Sequence, residues 1–286
     1  MSSPRCSSSS PAGPEVADRR LLAGLILAAA FGPPLAYAQA APAGGASADE
    51  LAKQLSNPVA ALISVPLQLN YDTGYAGGGE RWLLNVQPVA PFSISDDWNV
   101  ISRTILPVIH QDDVVGNQSD SGIGDITQSL FFSPKEPTAG GWILGVGPAL
   151  LLPTASEDVL GSEQWAIGPT VVALKQTADG WTYGALWNYL VSVAGDDDRA
   201  DVNATFIQPF LAKALGKGRT VTLNFESTYD FENHHWNAPF NATYSKVTKI
   251  GGQMVSFAGG ARVYLETPEG GPDWGLRFVV TLLYPK

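Results

Sequence analysis

Between Arg219 and Phe231 the chain reads RTVTLNFESTYDF. Val221, Leu223, Phe225, Tyr229 and Phe231 fall on one face of an extended segment. Thr220, Thr222, Asn224, Glu226, Thr228 and Asp230 fall on the other, with Ser227 interrupting the pattern. A repeat of two residues predicts a strand with one apolar and one polar face. The alternation recurs at 61–72, where Ile63, Val65, Leu67, Leu69 and Tyr71 oppose Ser64, Gln68, Asn70 and Asp72. It recurs again at 181–193 and 236–245. Twelve such segments are predicted after Pro58: 61–72, 81–94, 98–109, 124–133, 142–152, 164–176, 181–194, 202–214, 219–231, 236–247, 253–265 and 274–284. Segments 142–152 and 164–176 alternate poorly and are placed by the turn residues around them.

An alternating strand suits a soluble sandwich or a membrane barrel, and the connections separate the two. In outer-membrane barrels the periplasmic turns are short and the extracellular loops longer, and the strand number is even. Counting from an N-terminus in the periplasm, the outward connections read TGYAGGG, QDDVVGNQSDSGI, PTASEDVLGSE, GDDDRA, ENHH and ETPEGGPD. The inward ones read SDD, PKEPTAGG, TADG, GKG and TKIGG. Acids crowd the first set, chiefly Asp112, Asp113, Asp120, Glu157, Asp158 and Asp196 to Asp198. Lys213, Lys217, Arg219, Lys246 and Lys249 cluster on the other side. Trp82, Trp98, Trp142, Trp165, Trp181, Trp236 and Trp274 sit near strand ends, as the aromatic girdles of a barrel do. The expected fold is all-β: an antiparallel transmembrane β-barrel of about 12 strands, preceded by a short helical segment. Its apolar face meets lipid and its polar face lines a lumen.

Composition agrees. Charged residues make up 15 % of the chain, low for a soluble domain, where about 25 % is usual. Beyond the N-terminus no run of about 20 apolar residues could cross a bilayer as a helix. The net charge of −10 excludes the basic footprint that nucleic acid requires.

The N-terminal region divides into an exported leader and a linker. Arg19 and Arg20, the apolar run from Leu21 to Phe31 and the small-x-small site Ala36-Tyr37-Ala38 read as a secretory signal over 1–38, implying Sec-dependent export to the outer membrane. Residues 39–58 form a periplasmic segment whose helix, 49–55, can plug the lumen from below. Ser47 is its expected N-cap and Glu50 completes a capping box. Asn57-Pro58 stops it. Residues 59–286 are the barrel.

Little catalytic chemistry is visible. Cys6, the single cysteine, lies in the leader, so no intrachain disulfide is expected. The histidines are His110, His234 and His235, with no His-x-Ser pair and no triad spacing, so no enzyme is predicted. Asp230, Glu232, His234 and His235 read as a solvated loop rather than a metal site. The stretch GIGD (122–125) lacks a glycine of a dinucleotide fingerprint and leads into a strand; its expected role is to end a long loop, with Asp125 turning inward. Neither a cofactor nor a metal is expected.

Alternation assigns Gln68, Asn70, Asn85, Gln87, Arg103, Asn224, Glu226, Asn241, Arg262 and Arg277 to the lumen. Charges there either set solute selectivity or pair and lock the lumen shut. Several longer stretches, LAKQLSNPVAALISVPLQLNYD (51–72), NVQPVAPFSISDDWNVISRTILPVI (85–109), GIGDITQSLFFSP (122–134) and DWGLRFVVTLLYP (273–285) among them, give the chain a wider likeness. It resembles the proteobacterial outer-membrane transporters labelled with the meta-pathway of phenol degradation. The resemblance implies an outer-membrane β-barrel and a transport role. Asn57-Pro58-Val59-Ala60 is also partly similar to the Asn-Pro-Ala turn in the N-terminal plug of fatty-acid and aromatic-hydrocarbon channels, which implies a plug turn at Asn57 and Pro58.

The expected function is a passive channel for small aromatic or apolar solutes. The alternative is a structural or adhesive barrel with a closed lumen. Expected partners are outer-membrane lipid, lipopolysaccharide and the barrel-assembly machinery. The last would read the terminal strand, although Pro285-Lys286 after Tyr284 departs from the usual aromatic last residue.

Overall fold

The computed structural model describes residues 46–285; the leader predicted over 1–38 lies outside them. Each predicted strand is present. They are β1 (Ile63–Thr73), β2 (Glu80–Val86 continuing as Val89–Ser93), β3 (Trp98–Asp112) and β4 (Ser119–Ile123 continuing as Ile126–Pro134). Then come β5 (Trp142–Leu152), β6 (Gln164–Gln176), β7 (Trp181–Gly195) and β8 (Asn203–Gly216). The last four are β9 (Arg219–Phe225 continuing as Ser227–Asp230), β10 (His235–Asn237 continuing as Pro239–Ile250), β11 (Gln253–Tyr264) and β12 (Trp274–Tyr284). Each pairs antiparallel with the next. β12 pairs back onto β1, with Tyr284 opposite Ile63 and Trp274 opposite Thr73, so the twelve-stranded sheet is a closed barrel. Closure satisfies every ladder position without an edge, the condition for placing a sheet in hydrocarbon.

Most interruptions leave the register intact. The break in β4 does not: Val108 of β3 lies opposite Ile123, but Ile105 lies opposite Thr127. One extra residue at Gly124-Asp125 makes a bulge, a common device for aiming a side chain.

The outer wall is apolar. Val221, Leu223, Phe225, Leu276 and Phe278 are exposed on it. Trp98, Trp142 and Trp181 each open an odd-numbered strand at one end of the barrel. Trp82, Trp165, Trp236 and Trp274 lie at the start of even-numbered strands at the other end. The tryptophans thus form two girdles. The basic residues lie beside the short turns at the first end, where Lys213 packs 4.7 Å over the Trp181 ring.

The helix α1 (Ala48–Leu55) lies at this first end. The Ser47 hydroxyl accepts from the Glu50 amide at 3.1 Å, as the capping pattern predicts. Leu51 and Ala52 are buried against Leu62, Val247 and Leu283, which point inward from β10, β12 and the approach to β1. The Gly218 amide donates to Asp49 Oδ1 at 2.5 Å, and Gln176 Nε2 donates to the Lys53 carbonyl at 2.8 Å. After the helix, Val59 packs with Ile101, Phe131, Val172, Leu174 and Leu186. The segment therefore sits within the barrel mouth and lower lumen.

One expectation is corrected here. The lumen is not polar throughout: its wall at β3, β4, β6 and β7 is apolar where the N-terminal segment packs against it. This explains the weak alternation at 142–152 and 164–176. Leu144 and Val146 face out while Gly145 and Ala149 face in, and Val171 faces out while Val172 and Leu174 face in. Both faces of these strands are apolar, so the period-two contrast vanishes.

Candidate functional site

The ten side chains assigned to the lumen fall into linked groups. Arg277, on β12, donates from Nη1 and Nη2 to the two oxygens of Glu226 at 2.7 Å each, and from Nε to Asn70 Oδ1 at 2.7 Å. The two-pronged geometry is the strongest form of this ion pair. Gln208 Nε2 adds a 3.4 Å contact to Glu226. Asn241 Nδ2 donates to Asn224 Oδ1 at 2.8 Å from the facing position on the neighbouring strand. Gln68 and Asn85 face each other in register on β1 and β2. Arg103 Nη2 donates to Gln87 Oε1 at 2.9 Å.

Arg262 belongs to a second cluster. Its Nε lies 3.4 Å from Asp72 Oδ1, and Arg81 Nη2 lies 3.3 Å from Asp72 Oδ2. Asp72 is fully buried; a carboxylate so placed is tolerable only because two guanidiniums flank it. The Arg81 guanidinium also lies 5.9 Å from the Tyr75 ring centre. Burial pushes the pKa of Tyr75, in the loop above, upward, with Arg81 partly opposing it. Sequence reasoning placed Asp72 on the polar face without giving it a role, and it passed over Arg81. The signal was available: a β1–β2 hairpin sets Asp72 directly opposite Arg81, and opposite charges at facing positions attract.

The expected plug turn is a local structure. Asn57 Oδ1 accepts from the Val59 amide at 3.0 Å, and the Asn57 carbonyl accepts from the Ala60 amide. Pro58 borders a cavity on each side of the segment. One, of about 180 Å³, is lined by Gln54, Leu55, Gln87, Arg103 and Gln208. The other, also about 180 Å³, is lined by Ala52, Phe210, Thr222 and Asn224. A third cavity, about 270 Å³, lies further toward the loops, between Arg103, Leu186, Asn188 and Phe206.

At the loop end, Asp125 turns inward from the bulge in β4. Its oxygens accept from the amides of Thr154, Ala155 and Ser162 and from the Ser162 hydroxyl, at 2.6–3.1 Å. Asp125 turns inward as the GIGD reading anticipated, and it pins the 153–163 loop, which that reading did not foresee. Asp230 does local work as well, accepting from the amides of Glu232 and Asn233.

Folding also assembles a trio that sequence spacing did not show. His110 Nδ1 lies 2.7 Å from Ser121 Oγ, and His110 Nε2 lies 3.1 Å from Asp112 Oδ2. The three stand on the exposed face of the β3–β4 hairpin. None of the lumen cavities reaches them.

The model of the family described as "Putative MetA-pathway of phenol degradation" matches residues 68–274. The chain belongs to this family. No curated protein matches it in sequence. Among solved structures, the COG4313 outer membrane channel from Pseudomonas putida F1 is similar over 78 % of this chain and 96 % of that one. The identity is 13 % and the TM-score 0.62. Outer membrane phospholipase A from Escherichia coli is similar at 11 % identity over 77 % of this chain and 92 % of that one, with a TM-score of 0.41, too low to bear on function. The first likeness is one of fold: this family member shares the barrel architecture of an outer-membrane channel.

Proposed function

We propose that the protein is a passive outer-membrane channel for small aromatic or apolar solutes, exported through the Sec pathway and gated by its N-terminal segment. The observation that carries this reading is the lumen itself. It is not packed solid: cavities flank the plug on two sides and a third lies above it, with one wall apolar. An aqueous pore for ions would be polar all round. A lumen with an apolar wall favours solutes that gain by leaving water. The structural likeness to a protein described as an outer membrane channel supports the same reading.

The competing reading is a closed structural barrel. The Arg277–Glu226 pair favours it, because it crosses the lumen and joins strands three places apart. Uptake measurements separate the two. Proteoliposomes holding the full mature chain should take up a neutral aromatic solute faster than empty vesicles, and deletion of residues 39–58 should raise both that rate and the conductance in planar bilayers. Uptake equal to that of empty vesicles in both forms would establish the closed barrel.

A further inference from the structure

Four arginines stand in the lumen, and three of them are ion-paired. Arg277 takes Glu226, and Arg81 and Arg262 share Asp72. Arg103 forms no direct ion pair among the described residues: its side-chain hydrogen bond goes to the neutral Gln87 amide, and Glu226, already held by Arg277, acts on it only from a distance. The guanidinium carries its charge at any physiological pH. It also has more donors than the Gln87 oxygen can satisfy. A lumenal charge left in this state is an incomplete ion pair, and an anionic guest would complete it.

Its position says what kind of anion. Arg103 borders both the cavity beside the plug and the larger one toward the loops. In the larger cavity Ile105, Leu186, Leu190, Ala204 and Phe206 form the apolar part of the wall around it, and Thr127, Ser129, Asn188, Thr205 and Thr228 the polar part. Its volume, about 270 Å³, equals that of about nine water molecules in the liquid. That is the size of a single-ring organic acid. A chamber with an apolar side and one guanidinium outside any ion pair at its edge selects a molecule with an apolar body and one negative head, because each part then finds its complement.

We propose that this cavity is a binding site for small amphipathic monoanions, aromatic carboxylates above all, with Arg103 as the residue that holds the carboxylate. The proposal rests on the channel reading for its setting and adds to it a charge requirement. The acidic loops at the mouth oppose it only weakly: the field of exposed carboxylates decays over about 8 Å at physiological salt. Inside, the carboxylates of Glu226 and Asp72 are already taken by other arginines.

The test uses the mature protein in lipid nanodiscs, titrated calorimetrically with benzoate and with benzyl alcohol, its neutral counterpart in shape. The native protein should bind benzoate about tenfold or more tighter than benzyl alcohol, the scale of one charge-assisted hydrogen-bond pair. Arg103→Gln should bring the two affinities within about twofold while benzyl alcohol binding is kept, and Arg103→Lys should restore part of the preference. A boiling-dependent shift in gel mobility, the mark of a folded barrel, checks that the native protein and each variant are folded. Equal affinities in the native protein, binding of neither probe, or a preference that survives Arg103→Gln would overturn the site. Proteoliposome uptake separates this outcome from the parent reading. Benzoate binding without uptake of either probe leaves the anion site standing and removes the channel. Uptake of both probes at rates indifferent to Arg103 does the reverse.

Discussion

Arg277 grips both oxygens of Glu226 at 2.7 Å, although the two side chains rise from β12 and β9, with two strands between them. A third bond, from Arg277 Nε to Asn70, carries the link to β1. The pair is a chord across the barrel, and Arg277 is almost wholly buried. Removing one partner leaves a charge without compensation, which costs about 3–5 kcal/mol. Glu226→Gln and Arg277→Gln should each lower the urea midpoint for unfolding from vesicles. The double variant should be less destabilised than the sum of the two, by about 1–3 kcal/mol of coupling. Additive losses would mean that the two groups act separately.

The helix α1 is held by packing rather than by helix propensity, since eight residues make too short a helix to be stable alone. Leu51 is fully buried at its centre. Leu51→Ala removes contacts worth about 2–5 kcal/mol and should free the segment without unfolding the barrel. Gly145 gives a second handle. A Cβ there would approach Val172, Val59 and Phe131 within 2.9–3.3 Å, so Gly145→Val should push Val59 out of its seat. Both variants should show higher conductance in planar bilayers with an unchanged boiling-dependent gel shift. Conductance equal to the native value would mean that the segment does not obstruct the path.

The barrel was legible in the sequence because a wall with lipid on one side and a wet lumen on the other forces strict alternation. Residues 219–231 show it and β9 obeys it. Alternation failed at β5 and β6, where the N-terminal segment supplies an apolar neighbour from within. No local pattern records that contact, because it joins Val59 to residues more than forty positions away. The same limit applies to the site. Arg103, Glu226 and Arg277 could be placed in the lumen by parity. That Arg277 takes Glu226 and leaves Arg103 without an acid depends on how the closed barrel sets strands across from one another, and the sequence carries no local trace of it. Asp72 and Arg81 are different: hairpin pairing puts them together, so their link was there to be read.

Asp125 holds the 153–163 loop through four hydrogen bonds. Asp125→Ala deprives the Ala155 and Ser162 amides of their partner and the Thr154 amide of one of two, at a cost of about 1–3 kcal/mol for each group left buried and unpaired. The loop should open while the strands stay paired. Limited proteolysis of intact proteoliposomes should then cut within 153–163 in the variant and not in the native chain. Resistance in both would show that other contacts suffice.

The two tryptophan girdles predict where the bilayer lies. Trp98, Trp142 and Trp181 are 37–42 % exposed at one end, and Trp82, Trp165, Trp236 and Trp274 are 40–50 % exposed at the other. Indole rings at headgroup level are quenched by lipids brominated near the headgroup. Trp187, exposed at mid-height on β7, should be quenched by lipids brominated deep in the chain. Trp187→Phe should therefore remove a larger share of deep quenching than of shallow quenching. Equal loss at both depths would contradict the assigned span.

Ser121, His110 and Asp112 have the distances of a nucleophile, a base and an orienting acid, but their surroundings decide against catalysis. The His110 and Asp112 side chains are 49 % and 42 % exposed. In such a setting water competes for every hydrogen bond and no enclosed pocket holds a substrate. Electrostatic stabilisation of an oxyanion, the largest contribution in acyl transfer, needs preorganised donors in a site that excludes water. The trio therefore fits a role in tying the hairpin, with Ser121 lying opposite His110 across the ladder. Vesicles containing the native protein should release no more fatty acid from phospholipid than vesicles containing Ser121→Ala. A release rate that falls with Ser121→Ala and with His110→Ala alike would make this hairpin an acyl hydrolase site on the outer face of the barrel.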